Sequence, residues 1–267
     1  MSYTTITYTV KEQIAFIELA RPEKRNAISI EMFKDIDKVI KNLKKDKTIR
    51  AAIVSGQGED FCSGLDVKSV LKSPSKAIKL LFKWLPWQSN LAQRVSTKWR
   101  ELPIPVIVAI HGRCWGGGLQ IAQGGDFRIA TPDASLSIME GKWGLIPDMG
   151  GSIALRESVS IDVAKELAMT AKTITGEEAL SLNMVTHNHE KPLEAALKLA
   201  NEIKLQSPDA IAQVKKLYNK SWSKDAGMAL ARESWYQIKI LTGKNFKIKT
   251  YNQTHDKSEH KTFKNRR

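Results

Sequence analysis

A run of apolar residues at 106–110 (VIVAI) is followed closely by glycine-rich turns. The run is too short for a buried helix, but its length and its β-branched residues suit a buried strand. Pro105 precedes it, His111 and Gly112 follow it, and three glycines at 116–118 stand where the apolar pattern of a helix begins. The segment therefore predicts a buried strand, a tight turn and a short helix, which is a unit of an α/β fold.

Strands and helices alternate in the same way over about the first 190 residues. Alternating β-rich runs at 6–10 and 14–19 predict a hairpin, and short apolar runs at 51–54 and 127–130 predict strands. Ser29 can cap a helix whose apolar positions have helical spacing. These positions are Met32, Phe33, Ile36, Val39, Ile40 and Leu43. We therefore expect an α/β core.

The pattern changes after Gln206. Ser207, Pro208 and Asp209 are typical of a helix start, and the pattern stays helical through Ile240. We expect an α/β core over 1–206 and a C-terminal helical region with a basic tail over 207–267.

Composition excludes several other classes of protein. No apolar run approaches the roughly 20 residues that span a bilayer, and the first residues do not resemble a secretory signal, so we expect a cytoplasmic protein that does not enter membranes. Cys62 and Cys114 are too few for a disulfide framework and are expected to be small buried side chains. No His/Cys cluster has metal-binding spacing, and no metal site is predicted.

Positive charge is concentrated in two places. The formal net charge is +14, and the tail from Lys244 to Arg267 holds eight Lys/Arg against Asp256 and Glu259. Between residues 67 and 100 there is no acid at all, and lysines recur there at helical spacing. These lysines are Lys68, Lys72, Lys76, Lys79 and Lys83. A solvated helix face explains them most simply, and a field for a polyanion such as coenzyme A or nucleic acid is the alternative.

Three segments contain residues suited to chemistry. The glycine-containing turns at 61–66 (FCSGLD) and 111–119 (HGRCWGGGL) can expose backbone NH groups to a polarised oxygen, although tight strand–helix packing explains glycine triplets equally well. The third segment, 135–151, contains Glu140 and Asp148 in a Gly/Pro-rich stretch. Carboxylates in loops are usually solvated, so this segment alone leaves a catalytic role open.

In combination these segments resemble the crotonase family of enoyl-CoA hydratases and isomerases. The matching segments are 21–27 (RPEKRNA), 61–66 (FCSGLD), 105–112 (PVIVAIHG), 115–118 (WGGG), 144–147 (GLIP) and 175–179 (TGEEA). The resemblance implies an α/β fold in which repeated ββα units form a spiral, followed by a helical C-terminal region that trimerises. It also implies a homotrimer or a hexamer.

The resemblance assigns roles to several residues. The backbone NH groups of Leu65 and Gly117 would form an oxyanion hole for a thioester oxygen. Coenzyme A would enter as part of the substrate, with no tightly bound cofactor. The residues expected to contact it are Lys24, Arg25, Ala27, Ser63, Leu65, Asp66, Val67, Lys68 and Gly117. Trp84, Trp87 and Trp115 could line the acyl pocket or pack in the core.

One position departs from the hydratase pattern. Family hydratases place two glutamates around a water; the second is present as Glu140, but Gln120 stands at the position of the first. An amide cannot act as acid or base. Isomerisation needs a single carboxylate. Dienoyl-CoA isomerases of the family carry an acid at the position of Asp148 and a third acid at the position of Gln120, so the match to them is partial. We therefore expect a 3-enoyl to 2-enoyl isomerase with Glu140 as base and Asp148 as partner, and burial beside Asp148 should raise the pKa of one of the two.

Three alternatives stay open. A hydratase could use Glu140 with Gln120 orienting the water. The chain could also be an acyl-CoA-binding protein without activity, because a fold alone does not prove catalysis. RNA binding is suggested by the tail and the lysine stripe, but no RNA-recognition motif accompanies the charge, so a nucleic-acid partner is not expected.

Overall fold

The computed structural model describes residues 2–67 and 80–267. Its strands are β1 (Ile6–Lys11), β2 (Ile14–Leu19), β3 (Ala51–Gly56), β4 (Val106–Ile110), β5 (Arg113–Trp115), β6 (Phe127–Ala130), β7 (Ser135–Ser137), β8 (Thr173–Thr175) and β9 (His187–Asn188). One sheet has the order β1-β2-β3-β4-β6-β9, and a second has the order β5-β7-β8.

Ten α-helices accompany these strands in the described residues. They are α1 (Ile30–Lys45), α2 (Leu91–Thr97), α3 (Gly117–Gln123), α4 (Gly151–Leu155), α5 (Ile161–Thr170), α6 (Gly176–Ser181), α7 (Pro192–Lys204), α8 (Pro208–Ser221), α9 (Ala226–Leu241) and α10 (Lys244–Thr254). Short 3-10 helices lie at Pro22–Lys24, Lys98–Glu101, Met139–Trp143 and Lys257–Glu259.

The predicted N-terminal elements are confirmed. Strands β1 and β2 pair antiparallel as a hairpin, and β2 continues into a parallel pairing with β3. Helix α1 begins where expected, because the Ser29 side chain accepts a hydrogen bond from the NH of Met32. All six apolar positions predicted for its inner face are buried, so the 3.6-residue period of the sequence places one face against the sheet.

Two consecutive chain segments build the spiral. Strands β4 and β5 precede α3, and strands β6 and β7 then lie parallel to β4 and β5, with Ile107 opposite Phe127 and Cys114 opposite Leu136. A second ββ unit thus stacks on the first one in register. The predicted strand at 106–110, the turn and the glycine-started helix are confirmed in this unit.

The core fills the space between the large sheet and the helices on its two faces. One face packs on α1 and α3, and the other packs on α7 through Ala196 and Ala200 against Ile53 and Ile107. Both cysteines are buried free thiols, as predicted. The small alanines let α7 approach the strands closely.

The C-terminal region is helical, as predicted, and it packs on the core. The Nζ of Lys215 on α8 lies 2.6 Å from the carboxylate of Asp126 and 2.8 Å from each of the carbonyl oxygens of Trp99 and Ile104. Arg266 in the basic tail is 3% exposed and donates to the backbone carbonyl of Leu43. The boundary at 206 and the trimerisation role of this region stay predictions.

Two further predictions concern charge and membranes. Of the lysine stripe, Lys68, Lys72, Lys76 and Lys79 lie outside the described residues. Across residues 2–67 and 80–267, no helix combines the length and the apolar character that a membrane crossing requires.

Candidate active site

The first glycine turn, at 61–66, is bonded to the segment that precedes α1. The NH of Ile28 donates to the Gly64 carbonyl at 2.8 Å, and the NH of Asp66 donates to the Ile28 carbonyl at 3.0 Å. Gly64 has φ +97°, a conformation that side chains rarely tolerate. These two bonds use the carbonyl of Gly64 and the NH of Asp66, which precede and follow Leu65 in the chain. The NH of Leu65 itself takes no part in them.

The second glycine turn packs directly on the first. The NH of Trp115 donates to the Cys62 carbonyl at 3.0 Å. A Cβ built on Gly64 would lie 3.1 Å from the Trp115 carbonyl oxygen, and one on Gly118 would lie 2.6 Å from the Cβ of Cys62. Gly118 therefore permits the close packing of the two turns, and Gly117 begins α3 at the same place. The interpretation of the triplet as a site for a polarised oxygen stays a prediction.

The NH groups of Leu65 and Gly117 find no acceptor in the described part of the chain. They share this with the NH groups of Gly118 and Leu119 in the first turn of α3, as is usual where a helix begins. An NH group without a partner in a folded region favours an external acceptor, and a carbonyl oxygen would suit it. Around Gly117, the position of a Cβ would be 2.9 Å from both the Cδ1 of Ile28 and the Sδ of Met149, so apolar groups border the turn.

Glu140 lies beside the second turn and is bonded to Gln120. The Nε2 of Gln120 is 2.6 Å from the Oε1 of Glu140. A Cβ on Gly116 would be 3.5 Å from the same carboxylate oxygen, which places the acid against the glycine turn. The other oxygen, Oε2, is buried and has no hydrogen-bond partner among the residues described here. The site therefore contains a carboxylate that is desolvated and only half satisfied.

Burial is the main cause of the high pKa of both acids. The pKa of Glu140 lies above its ordinary value because of desolvation, with the negative charge of Asp148 acting in the same direction and the Gln120 hydrogen bond against it. Desolvation also raises the pKa of Asp148. The predicted rise is confirmed, and it applies to both members of the pair. A raised pKa makes a carboxylate a better general base near neutrality.

Gln120 is 3% exposed and links α3 to the loop that carries Asp148. Its Oε1 accepts hydrogen bonds from the NH of Met149 at 2.8 Å and of Gly151 at 3.1 Å. One side chain therefore contacts the acid at 140 and fixes the backbone on both sides of Gly150. Both polar atoms of Gln120 are bonded to protein groups, whereas the hydratase alternative requires Gln120 to orient a water.

The sequence as a whole matches one family model. That model, described as enoyl-CoA hydratase/isomerase, matches residues 9–259. The chain belongs to the enoyl-CoA hydratase/isomerase family. It is thus a member of an enzyme family, and its candidate site contains a partly buried glutamate beside the second glycine turn.

Individual relatives agree with this family and differ in reaction. A Bacillus subtilis protein named for the family, YngF, is 35% identical over 86% of this chain and 87% of its own length. The mitochondrial Delta(3,5)-Delta(2,4)-dienoyl-CoA isomerase of Rattus norvegicus is 30% identical over 85% of this chain and 73% of its own. The crystal structure of an enoyl-CoA hydratase from Bacillus anthracis superimposes with a TM-score of 0.87, at 24% identity, over 98% of this chain and 99% of that one. The predicted crotonase-like fold is confirmed.

The residues predicted to contact coenzyme A fall into two groups in this family member. Lys24 and Arg25 are exposed, whereas Ala27, Ser63, Leu65, Asp66 and Val67 are partly buried, and Lys68 lies outside the described residues. The Arg21 guanidinium pairs with the Asp66 carboxylate at 3.2 Å and also donates to the Ala27 carbonyl. Sequence reasoning missed Arg21, although it opens the RPEKRNA motif; it ties this loop to the first glycine turn.

The tryptophans do not share one environment. Trp84 and Trp87 are 85% and 79% exposed, so core packing is wrong for both of them. Trp115 is partly buried and donates from Nε1 to the Ser135 hydroxyl at 2.9 Å. Sequence reasoning also missed Met149 and Ile28, which border Gly117. The only available signal was their position in the sequence, directly after Asp148 and after the motif at 21–27.

Proposed function

We propose that this family member is a 3-enoyl-CoA to 2-enoyl-CoA isomerase with Glu140 as its acid/base. One observation carries the proposal: the partly buried carboxylate of Glu140 is bonded to a neutral amide, Gln120, where two-carboxylate chemistry would need a second acid. A lone base of raised pKa suffices to move one proton between two carbons. Water addition by two carboxylates needs more than Gln120 can supply.

The reaction balances with Glu140 alone. Its carboxylate removes a proton from C2, so the C2–H bond breaks and an O–H bond forms. The electron pair moves into the thioester, whose oxygen becomes negative, and conjugation extends this dienolate to C4. The acid then returns the proton to C4, which leaves a C2=C3 double bond and restores the carbonyl. Protons and electrons are conserved, so no cofactor is required.

Leu65 and Gly117 are proposed to stabilise the dienolate. Their NH groups have no acceptor in the described residues, and the two packed turns that carry them are held by backbone hydrogen bonds before substrate arrives. Preorganised donors of this kind stabilise an oxyanion because they need no rearrangement; losing one typically costs about 3–4 kcal/mol. Support for this role comes from the close packing of the turns and from the position of Glu140 beside Gly116.

The substrate is proposed to be a coenzyme A thioester. Lys24 and Arg25 are exposed beside the first turn, where their charges suit the phosphates of coenzyme A. The names of the family and of the relatives point to the same class. A homotrimer or hexamer is proposed on the same basis, with the helices after residue 206 at the interface.

A second candidate reaction uses Asp148 as well. The dienoyl-CoA isomerase from rat is 30% identical to this chain, and Asp148 is close enough to Glu140 to raise its pKa. Two acids could remove a proton at one end of a diene and supply one at the other end. Gln120 stands where the third acid of those isomerases lies, which makes the 3-enoyl reaction the leading proposal.

Three substrates separate these reactions. Purified enzyme is incubated with 3-hexenoyl-CoA, 3,5-octadienoyl-CoA and crotonyl-CoA, and kcat/KM is compared. The proposal expects the 3-enoyl substrate to be turned over fastest. Faster hydration of crotonyl-CoA would instead favour the hydratase in which Gln120 orients water.

The Glu140→Gln variant tests the proposed base. If it isomerises as fast as the wild type, Glu140 is not the base. A wild type that binds these coenzyme A thioesters but turns over none of them would favour a binding role. RNA binding is checked with a labelled single strand at two salt concentrations, because binding to phosphates weakens steeply with salt.

A further inference from the structure

A cavity of about 450 Å³ lies between the C-terminal end of α3 and helix α8. Its walls include Arg100, Gln123, Arg128 and the aromatic side chains of Tyr218 and Trp222. Gln123 is the last residue of α3, whereas the candidate active site lies where the same helix begins. None of these five residues takes part in the proposed reaction, so the cavity calls for an explanation of its own.

Arg128 is held by backbone carbonyls and leaves one edge of its guanidinium open. Its Nε donates to the Met184 carbonyl at 3.0 Å, and its Nη1 donates to the Gly125 carbonyl at 2.9 Å. The third nitrogen, Nη2, makes no hydrogen bond within residues 2–67 and 80–267, and it is not one of the enclosed polar atoms there. Two N–H groups of a cation that is already fixed in place are therefore left for a group from outside.

The other charges around the cavity are paired with one another. Arg100 donates to the Glu157 carboxylate, and the Lys215 ammonium lies 2.6 Å from the Asp126 carboxylate. Together with Arg128 these are three cations and two anions, which leaves one positive charge. Burial lowers the pKa of Arg128 to about 10, so the group stays charged near neutrality. A desolvated cation without a bonded carboxylate is costly, and a monoanion would balance it.

An aromatic pair forms the apolar part of the cavity wall. The rings of Tyr218 and Trp222 lie edge to face, with centroids 5.8 Å apart. They are 56% and 67% exposed. Rings of this size stabilise a complex when they cover apolar surface of a ligand. The cavity thus combines one open cationic edge with an exposed aromatic wall.

We propose that this cavity binds a small monocarboxylate with an aromatic or apolar body. The Nη2 group of Arg128 donates to the carboxylate, and the rings of Tyr218 and Trp222 pack against the body. A dianion such as a phosphate monoester suits the cavity less well, because the carboxylates of Asp126 and Glu157 border the same space. The inference is independent of the isomerase proposal, since the two sites share no residue.

Arg50 shows the same kind of anchoring without a cavity. Its Nη2 donates to the carbonyls of Lys204 and Gln206 at 3.0 and 2.6 Å, and burial lowers its pKa as well. The space beside Arg50 is only about 10 Å³, which is the lower limit for a single water. Anchoring to carbonyls is therefore not sufficient for a site. Arg128 differs in its open Nη2 and in the volume next to it.

The experiment measures binding by isothermal titration calorimetry, with 3-phenylpropanoate as the probe. 3-Phenylpropanamide has the same shape without the charge, and phenyl phosphate is a dianion near neutral pH. We expect the amide and the phosphate each to bind at least about 10-fold more weakly than the carboxylate, because a hydrogen bond to a charged group and the charge balance are lost.

Two pairs of variants locate the binding. Arg128→Lys keeps the charge but loses the forked donors, so Kd should rise about 10-fold, whereas Arg50→Lys should leave it unchanged. Trp222→Ala should raise Kd about 5-fold or more because apolar contact is lost. Trp235→Ala is its control, since Trp235 is 56% exposed and lies outside the cavity. Both tryptophans are on the surface, so this pair carries the test even if Arg128→Lys does not fold.

Several results would overturn the proposal. They are the absence of binding by the wild type at millimolar 3-phenylpropanoate, equal affinity for the acid and the amide, and equal effects of the two variants within either pair. Tighter binding of phenyl phosphate would refute the carboxylate as the ligand class. If the wild type binds no probe and Trp222→Ala changes the oligomeric mass in light scattering, a second copy of the chain occupies the cavity instead. Turnover of coenzyme A thioesters is measured separately, so none of these results affects the isomerase proposal.

Discussion

The two halves of the candidate site are held in different ways. On one side, the turns that carry Leu65 and Gly117 are fixed by backbone hydrogen bonds. Their glycines let the two turns pack more closely than a Cβ atom would allow. On the other side, Glu140 depends on one side-chain hydrogen bond from Gln120. The NH donors of the first half are backbone groups and need glycines for packing, whereas the acid of the second half is a side chain held by another side chain. Substitutions should therefore change the chemistry of the second half and the folding of the first.

The largest effect is expected at the base. Glu140→Gln keeps the size of the side chain but cannot take a proton, so kcat for 3-hexenoyl-CoA should fall by about 10²–10⁴-fold. KM should change little, because the carboxylate contributes to proton transfer rather than to binding. Glu166→Gln is the control, since Glu166 is an exposed residue paired with Lys172. Equal losses in both variants would break the comparison.

Next in size is a folding effect in the glycine half. Gly118→Ala would put a Cβ 2.6 Å from the Cβ of Cys62, so one of the two turns must move. We expect the free energy of unfolding to fall by about 1–3 kcal/mol, measured by urea denaturation. Gly227→Ala is the matched control, because the nearest atom to its Cβ is a flexible carboxylate oxygen at 3.4 Å. There the substitution should be neutral or stabilising.

A smaller change is expected from the second acid. The negative charge of Asp148 raises the pKa of Glu140, so Asp148→Asn should lower that pKa. A base with a lower pKa is ionised at lower pH, and the acid limb of kcat/KM should move to lower pH. With 3-hexenoyl-CoA, kcat should stay within about 10-fold of the wild type, whereas loss of turnover confined to the dienoyl substrate would favour the second candidate reaction.

The smallest effect is expected at Leu65. Leu65→Ala removes a side chain but leaves the backbone NH, so stabilisation of the oxyanion should persist and kcat should change less than about 10-fold. If the acyl group contacts this side chain, KM changes more than kcat, so KM is compared for acyl chains of several lengths. A kcat loss as large as that of Glu140→Gln would show that the backbone half does depend on its side chains.

The sequence predicted those parts of the molecule that local patterns determine. Helix α1, the β1–β2 hairpin and the strand before Gly112 follow from periodicity and capping within a few residues, and they are confirmed. The family motifs located Glu140 and Asp148, and simple electrostatics gave the direction of their pKa values. The helix, the hairpin and the strand depend on residues close together in the sequence. The two acids belong to a set of motifs that is specific to the family when taken together.

The remaining features depend on contacts between distant segments. Nothing near Gln120 in the sequence indicates that its amide faces Glu140 and supports Met149 at the same time. The pairing of Arg21 with Asp66 likewise joins residues on separate loops. The exposure of Trp84 and Trp87 contradicted the core interpretation, because an aromatic residue in a lysine-rich segment has no periodic signal that separates a buried position from an exposed one.

The anchoring of the C-terminal helices has a consequence for how the protein unfolds. Lys215 reaches Asp126 and the carbonyl oxygens before β4, and Arg266 reaches the end of α1. A fragment that stopped at residue 206 would leave a charged group and several carbonyls in the core without these cations. Hydrogen exchange should accordingly report one cooperative transition for both regions, with amides of α1 and α8 becoming labelled together.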